Sequence, residues 1–242
     1  MISILGTLMR RRHLCLNSRR MTVTLALWLV ALVAIALFLS CSSSHSLPVI
    51  AVRPVKIVVL GDSLASGFGL LFSPAFPERL EQVLKHKGFA VTVVNAGVSG
   101  DTASDGLRRL DSAVPEDTDA LIIELGANDA ERAIDPNVTR AALAAILQRM
   151  KARHIQVLLT GMWAFASEGE AYARAFAAIY PSLASTYSFV WYPFILDGVA
   201  GNPALIQVDG EHPNAQGVDV IVSRILPQVE QLIARVQATR RR

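Results

Sequence analysis

Val55-Lys56-Ile57-Val58-Val59-Leu60-Gly61-Asp62-Ser63-Leu64 is the stretch from which the architecture can be read. Apolar residues, many of them β-branched, run straight into glycine, aspartate and serine. A continuous run of this kind reads as a strand buried on both faces, as in a parallel sheet covered by helices. Further runs follow at residues 91–94, 120–125, 155–160 and 189–191. Helix-like segments lie between them. Residues 77–87 carry Leu80, Val83 and Leu84, and residues 137–153 are entered through Asp135-Pro136. Residues 170–187 are alanine-rich with a kink expected at Pro181, and a last helix from Asn214 to about residue 236 must bend or break at Pro227. Strand alternating with helix predicts the α/β class, a three-layer α/β/α sandwich around a mostly parallel five-stranded sheet.

Ligands of such folds bind beyond the carboxyl ends of the strands. Ser63 follows the first run, residues 95–101 follow the second and residues 126–129 the third, so all three reach one edge of the sheet. A serine hydroxyl needs an adjacent base to become a nucleophile. Of five histidines, His13 and His45 precede the domain. His86 sits in the charged Lys85-His86-Lys87, and His154 ends a helix where capping of the last carbonyls is its expected role. His212 remains, with Asp209 three residues before it in Asp209-Gly210-Glu211-His212-Pro213-Asn214. That offset suits a carboxylate that holds the imidazole tautomer and stabilises the imidazolium. The same edge offers three hydrogen-bond donors for an oxyanion: the backbone N–H of Ser63, the N–H of Gly100 and the side-chain amide of Asn128. Taken singly, each is also an ordinary loop residue, and Asp209-His212 is also an ordinary turn and cap.

Four segments in order resemble the SGNH, or GDSL, hydrolase family: Gly61-Asp62-Ser63-Leu64, the segment holding Gly100, Gly126-Ala127-Asn128-Asp129, and Asp209-Gly210-Glu211-His212. The similarity runs over residues 56–232. Within the family the chain looks most similar to bacterial acyl-CoA thioesterases that are also described as lysophospholipases and arylesterases. Asn95-Ala96-Gly97-Val98-Ser99-Gly100-Asp101-Thr102 and Ala178-Ile179-Tyr180-Pro181 carry that part of the likeness. The resemblance implies a flavodoxin-like sheet, Ser63 as nucleophile, His212 as base, Asp209 as its orienter, and Ser63, Gly100 and Asn128 as the oxyanion hole. It implies neither metal nor cofactor. The expected partner is a small-molecule or lipid acyl ester or thioester, the expected state a monomer. One departure lies after the fourth strand, where members of this subgroup often carry a Pro/Asn-rich loop. Here the text is Gly161-Met162-Trp163-Ala164-Phe165-Ala166-Ser167-Glu168-Gly169, so Trp163 and Phe165 either line the acyl site or pack under the loop.

Competing readings match less of the chain. The turn with Gly61, Gly67 and Gly69 is glycine-rich, but Gly67-Phe68-Gly69-Leu70-Leu71-Phe72 lacks the third glycine of a dinucleotide fingerprint. Gly61-Asp62-Ser63-Leu64-Ala65 lacks the final glycine of an α/β-hydrolase elbow. A carbohydrate-ester deacetylase of the same family, and a membrane-tethered binding module that has lost catalysis, remain as alternatives.

Outward from the domain, the chain of 242 residues is 52% hydrophobic and 18% charged. Part of that excess is the uncharged stretch at residues 21–39, preceded by Arg10, Arg11, Arg12, Arg19 and Arg20. A basic lead before about 20 apolar residues reads as an export signal or membrane anchor, with the arginines cytoplasmic and the domain outside, periplasmic or anchored. Phe38-Leu39-Ser40-Cys41 resembles a lipobox with Phe38 where Leu is usual, which adds lipidation at Cys41 to cleavage and a retained anchor as possible outcomes. The organisation expected is a leader at 1–41, a linker at 42–54, a hydrolase domain at 55–236 and a basic tail at 237–242. Cys15 and Cys41 both precede the domain, which excludes disulfides and thiolate sites within it. The net charge is +3, and the leader holds five arginines and no acid, which leaves −2 for the rest. That balance offers no surface for nucleic acid.

Overall fold

A computed structural model of the chain describes residues 53–164 and 169–241. The apolar stretch 21–39, Cys41, most of the linker and Phe165 lie outside the described residues. The elements run β1 (Val55–Gly61), α1 (Ser63–Ser66), α2 (Phe76–His86), β2 (Val91–Gly97), α3 (Ala103–Arg108), α4 (Leu110–Ala113) and β3 (Ala120–Glu124). They continue with α5 (Ala127–Glu131), α6 (Pro136–Ala152), β4 (Gln156–Thr160), α7 (Glu170–Ala177), α8 (Ile179–Tyr187), β5 (Val190–Tyr192) and α9 (Ala215–Arg240).

All five strands are parallel, in the order β2-β1-β3-β4-β5. The chain steps from β1 to β2 on one side and then crosses to β3 on the other. This reversal opens a crevice beyond the carboxyl ends of β1 and β3, the place where such sheets bind ligands. Ile57, Val58, Val59 and Leu60 of β1 and Leu121, Ile122 and Ile123 of β3 are completely buried. Central strands of a parallel sheet are covered on both faces, which explains their unbroken apolar text. The edge strands β2 and β5 each expose a residue to solvent, Thr92 and Trp191. Helices α2 and α9 pack together, as do α6 with α3 and α8, and these groups form the outer layers.

Three details differ from the sequence reading. Strand β2 extends through Asn95-Ala96-Gly97 because its ladder with β1 continues to the Gly61–Gly97 pair. The alanine-rich segment breaks at Ala178, ahead of Pro181. A proline cannot donate to the carbonyl four residues back, and its ring collides with that carbonyl, here Ala177, so the disruption precedes the proline itself. Helix α9 does not break at Pro227, one of the two outcomes expected there, and it runs on to Arg240, past the expected end near residue 236. Pro227 and Ser223, whose carbonyl loses its intrahelical donor, are both exposed, so water can satisfy the carbonyl. Arg240 donates to the Arg53 and Pro54 carbonyls and pairs with Asp119 at 2.6 Å, which ties the end of α9 to the start of β1. Among the described residues, no helix is long and apolar enough to cross a membrane.

Candidate active site

The site begins where β1 ends. Asp62 caps α1, and its Oδ1 accepts from Leu64 N–H at 3.1 Å. Ser63 is the first helical residue, which aims its Oγ out over the sheet edge. Gly61 is required by close approach: a Cβ there would lie 2.4 Å from Glu124 Oε2. That carboxyl reaches up from the end of β3 and accepts from the N–H groups of Asp62 and Ala65, each at 3.2 Å.

His212 arrives from the other end of the chain. Asn214 caps α9 by accepting from Gly217 N–H at 3.0 Å, and its Nδ2 donates to Ala204 O at 2.9 Å. Ile206 bridges Pro213, and Gln207 N–H donates to His212 O at 2.7 Å. Gly217 permits this seat, since a Cβ there would stand 2.2 Å from the Leu205 carbonyl oxygen. Gln207 Nε2 donates to both Pro213 O and Phe68 O, at 2.9 and 2.8 Å, which staples the His212 loop to the loop after Ser63.

The result is a chain of three side chains. His212 Nε2 lies 2.9 Å from Ser63 Oγ, and His212 Nδ1 lies 3.0 Å from Asp209 Oδ2. Asp209 Oδ1 accepts from the Glu211 and His212 N–H groups, both at 3.0 Å. Those backbone bonds, with Glu211 first, and the His212 ring hold the Asp209 carboxyl below its usual range. The Phe68 ring covers the imidazole at 4.6 Å between centroids. With Nδ1–H given to Asp209, Nε2 is the free acceptor facing the hydroxyl, the geometry for general-base removal of the Ser63 proton.

The three expected donors lie on the same rim. The N–H groups of Ser63 and Gly100 have no partner among the described residues. Gly100 has φ +87°, the left-handed region that favours glycine. Asn128, on α5, is nearly buried and gives Nδ2 to Asp62 Oδ2 at 3.2 Å, with one amide hydrogen left over. Arg132 links the two segments, donating to Gly100 O at 2.9 Å and to Asn128 Oδ1 at 3.4 Å. Next to Ser63 and His212 is a cavity of about 150 Å³ walled by Trp163, Phe194, Leu196 and Ile206. Trp163 stacks on Phe194 at 4.1 Å between centroids with an interplanar angle of 1°.

Several residues of this region were not singled out by the sequence. Asp129 is buried and accepts from Ala103 N–H at 2.8 Å and Thr139 Oγ1 at 2.7 Å, fixing the Gly100 segment to α5 and α6. Arg109 pairs with Asp101 at 2.5 Å and donates to Ala96 O and Gly61 O, bracing the ends of β1 and β2. Asp62 and Glu124 are wholly buried. Burial pushes the Asp62 carboxyl up to about 6, against the bonds from Leu64 and Asn128 and the nearby His212 that pull it down. Burial, and then the Asp62 charge, push Glu124 well above the usual carboxylate range. Glu124 did carry a signal: it is the one charge in the apolar run 120–125.

Comparison with known proteins shows the family. Residues 59–220 match the model of the GDSL-like lipase/acylhydrolase family. The chain is 34% identical to the esterase TesA of Pseudomonas aeruginosa, over 73% of this chain and 89% of the relative. It is 35% identical to thioesterase 1/protease 1/lysophospholipase L1 of Escherichia coli, over 73% of this chain and 84% of the relative. Among solved structures, AlinE4, an SGNH-hydrolase family esterase, shares 40% identity with a TM-score of 0.62, over 74% of this chain and 96% of that one.

Proposed function

The chain belongs to the GDSL-like lipase/acylhydrolase family, and from that membership we propose that it hydrolyses acyl esters or thioesters through Ser63, His212 and Asp209. The observation that carries this reading is the bridge made by His212, 2.9 Å from Ser63 Oγ and 3.0 Å from Asp209. The acyl carbonyl sits over Ser63 with its chain toward the cavity bounded by Trp163 and Phe194. His212 Nε2 takes the Ser63 proton as Oγ attacks the carbonyl carbon, and Asp209 stabilises the imidazolium. The N–H groups of Ser63 and Gly100 and the Asn128 amide receive the developing oxyanion. His212 then protonates the departing alcohol or thiol. Water, activated by the same imidazole, releases the acid from the Ser63 ester.

The relatives named an esterase and a thioesterase/lysophospholipase support both bond types. In this reading residues 55–236 lie in the catalytic domain, the basic residues that follow continue its last helix to Arg240, and residues 1–41 are an export signal or anchor that places it outside the cytoplasm. A fluorophosphonate tests the assignment, since it phosphonylates a serine activated by an adjacent base. Mass spectrometry should find the adduct on the peptide holding Ser63, and the His212→Ala variant should resist labelling. An unmodified Ser63 in the intact protein contradicts the reading.

A further inference from the structure

Helix α1 starts with three N–H groups that have no intrahelical partner, those of Ser63, Leu64 and Ala65. Two carboxyl groups take two of them. Asp62 Oδ1 accepts from Leu64 N–H at 3.1 Å, and Glu124 Oε2 accepts from Ala65 N–H at 3.2 Å. Glu124 Oε2 also takes the N–H of Asp62 itself, at 3.2 Å. The N–H of Ser63 alone is left open, toward the site. The second oxygen of Asp62 holds Asn128 Nδ2 at 3.2 Å, so this carboxyl touches both the nucleophile turn and the oxyanion amide. We propose that Glu124 and Asp62 are positioning residues: Glu124 fixes the backbone of the nucleophile turn from below, and Asp62 sets the Asn128 amide, leaving only the Ser63 N–H free for the oxyanion.

A structural filler at position 124 would be apolar, because burying a carboxyl is costly. Glu124 is completely buried, and its Oε1 has no partner among the described residues. Only Oε2 is used, and it is used twice. A single carbonyl oxygen, with its two lone pairs, suffices for both bonds, so the group can do this without being ionised. The surroundings agree. The charged or titratable groups around the pair are His212 across Ser63, Arg132 beyond Asn128, Arg109 on the Gly61 carbonyl, and Asp129 and Tyr180 on the α5 side. None of the cations contacts Glu124. Asp62, by contrast, accepts through both oxygens, Oδ1 from Leu64 N–H and Oδ2 from Asn128 Nδ2. The pair therefore divides the work: Glu124 serves the backbone of the nucleophile turn alone, and Asp62 joins that turn to the Asn128 amide.

This rests on Ser63 and Asn128 having the roles proposed above, and the test separates the two ideas. In the full-length protein, Glu124→Gln keeps the accepting oxygen and should hold kcat for an aryl ester within about 3-fold. Glu124→Ala removes the acceptor and should lower kcat by at least about 10-fold. Asp62→Asn can accept from Leu64 or Asn128 but not both, and should lower kcat by on the order of 10²-fold with KM little changed. A second readout needs no activity. Free Glu ionises near 4.5 in the unfolded chain while burial holds the folded Glu124 carboxyl well above that, so its presence weakens the fold as pH rises above 4.5. The melting temperature of Glu124→Gln should therefore gain on that of the parent between pH 4.5 and 7. A flat difference across that range, full kcat in Glu124→Ala, or full kcat in Asp62→Asn overturns the proposal. If the parent cleaves no ester at all, the hydrolase reading fails, and the pH-dependent melting still judges Glu124.

Discussion

Asp209 holds His212 with both of its carboxylate oxygens: Oδ2 lies 3.0 Å from the ring Nδ1, while Oδ1 accepts the backbone N–H of His212 at 3.0 Å. One side chain thus fixes both where the imidazole stands and which nitrogen carries its proton. Asp209→Asn separates the two duties. The amide oxygen can still take the backbone bonds, but its NH₂ faces Nδ1 and favours the wrong tautomer. Aryl-ester kcat should fall between about 10³- and 10⁴-fold with little change in melting temperature. Steady-state kinetics beside a thermal melt check this, and a loss below about 10-fold contradicts it.

Asn128→Ala removes one of the three donors proposed for the oxyanion and strips a hydrogen bond from buried Asp62. The first effect should lower kcat by about 10²- to 10³-fold with a smaller change in KM. The second should lower stability by about 1–3 kcal/mol, the cost of leaving a buried acceptor unpaired. Denaturant titration and kinetics on the same preparation read both.

Trp163 and Phe194 stack across the cavity wall beside Ser63. Trp163→Ala opens that wall. The ratio of kcat/KM for an octanoyl over an acetyl ester should rise by roughly 10-fold, the scale of one further methylene held in an apolar pocket. A ratio unmoved by the change would take Trp163 out of the acyl site.

Acid stability should depend on Asp105. It completes a capping box with Thr102 at the start of α3 and pairs with Arg108. Its bonds to Thr102 and then Arg108 bring its carboxyl from 3.8 down to about 2. A depressed folded value means the contribution is fully present above pH 3.8 and is lost as pH falls through about 2. Asp105→Asn should thus be less stable than the parent at pH 7, by about 1 kcal/mol given the partial exposure of the pair. The gap should close below pH 2, as chemical denaturation at stepped pH would show.

The sheet was legible because β1, β3 and β4 are buried on both faces, so their apolar runs need no alternation to be recognised. The meeting of Ser63 and His212 was legible because serine and histidine each sit at the end of a distinctive local pattern. Short helices such as α1, α3 and α5 were not read, since four to six residues begin and end on caps rather than on hydrophobic period. The break at Ala178 was misplaced because a proline acts four residues upstream. The role of Glu124 was hidden for a different reason. Its partners are backbone N–H groups sixty residues away in sequence, and backbone leaves no mark in the text. Arg109 and Arg132 were unread for the same cause, since three of their four carbonyl and amide partners are backbone oxygens.

The proposed chemistry depends on the hydroxyl of Ser63, which a single substitution removes. Turnover of a short aryl ester by full-length Ser63→Ala should fall at least about 10⁴-fold, while the melting temperature stays within a degree or two of the parent. A variant that melts like the parent and still cleaves the ester at the parental rate would contradict the assignment of Ser63 as nucleophile.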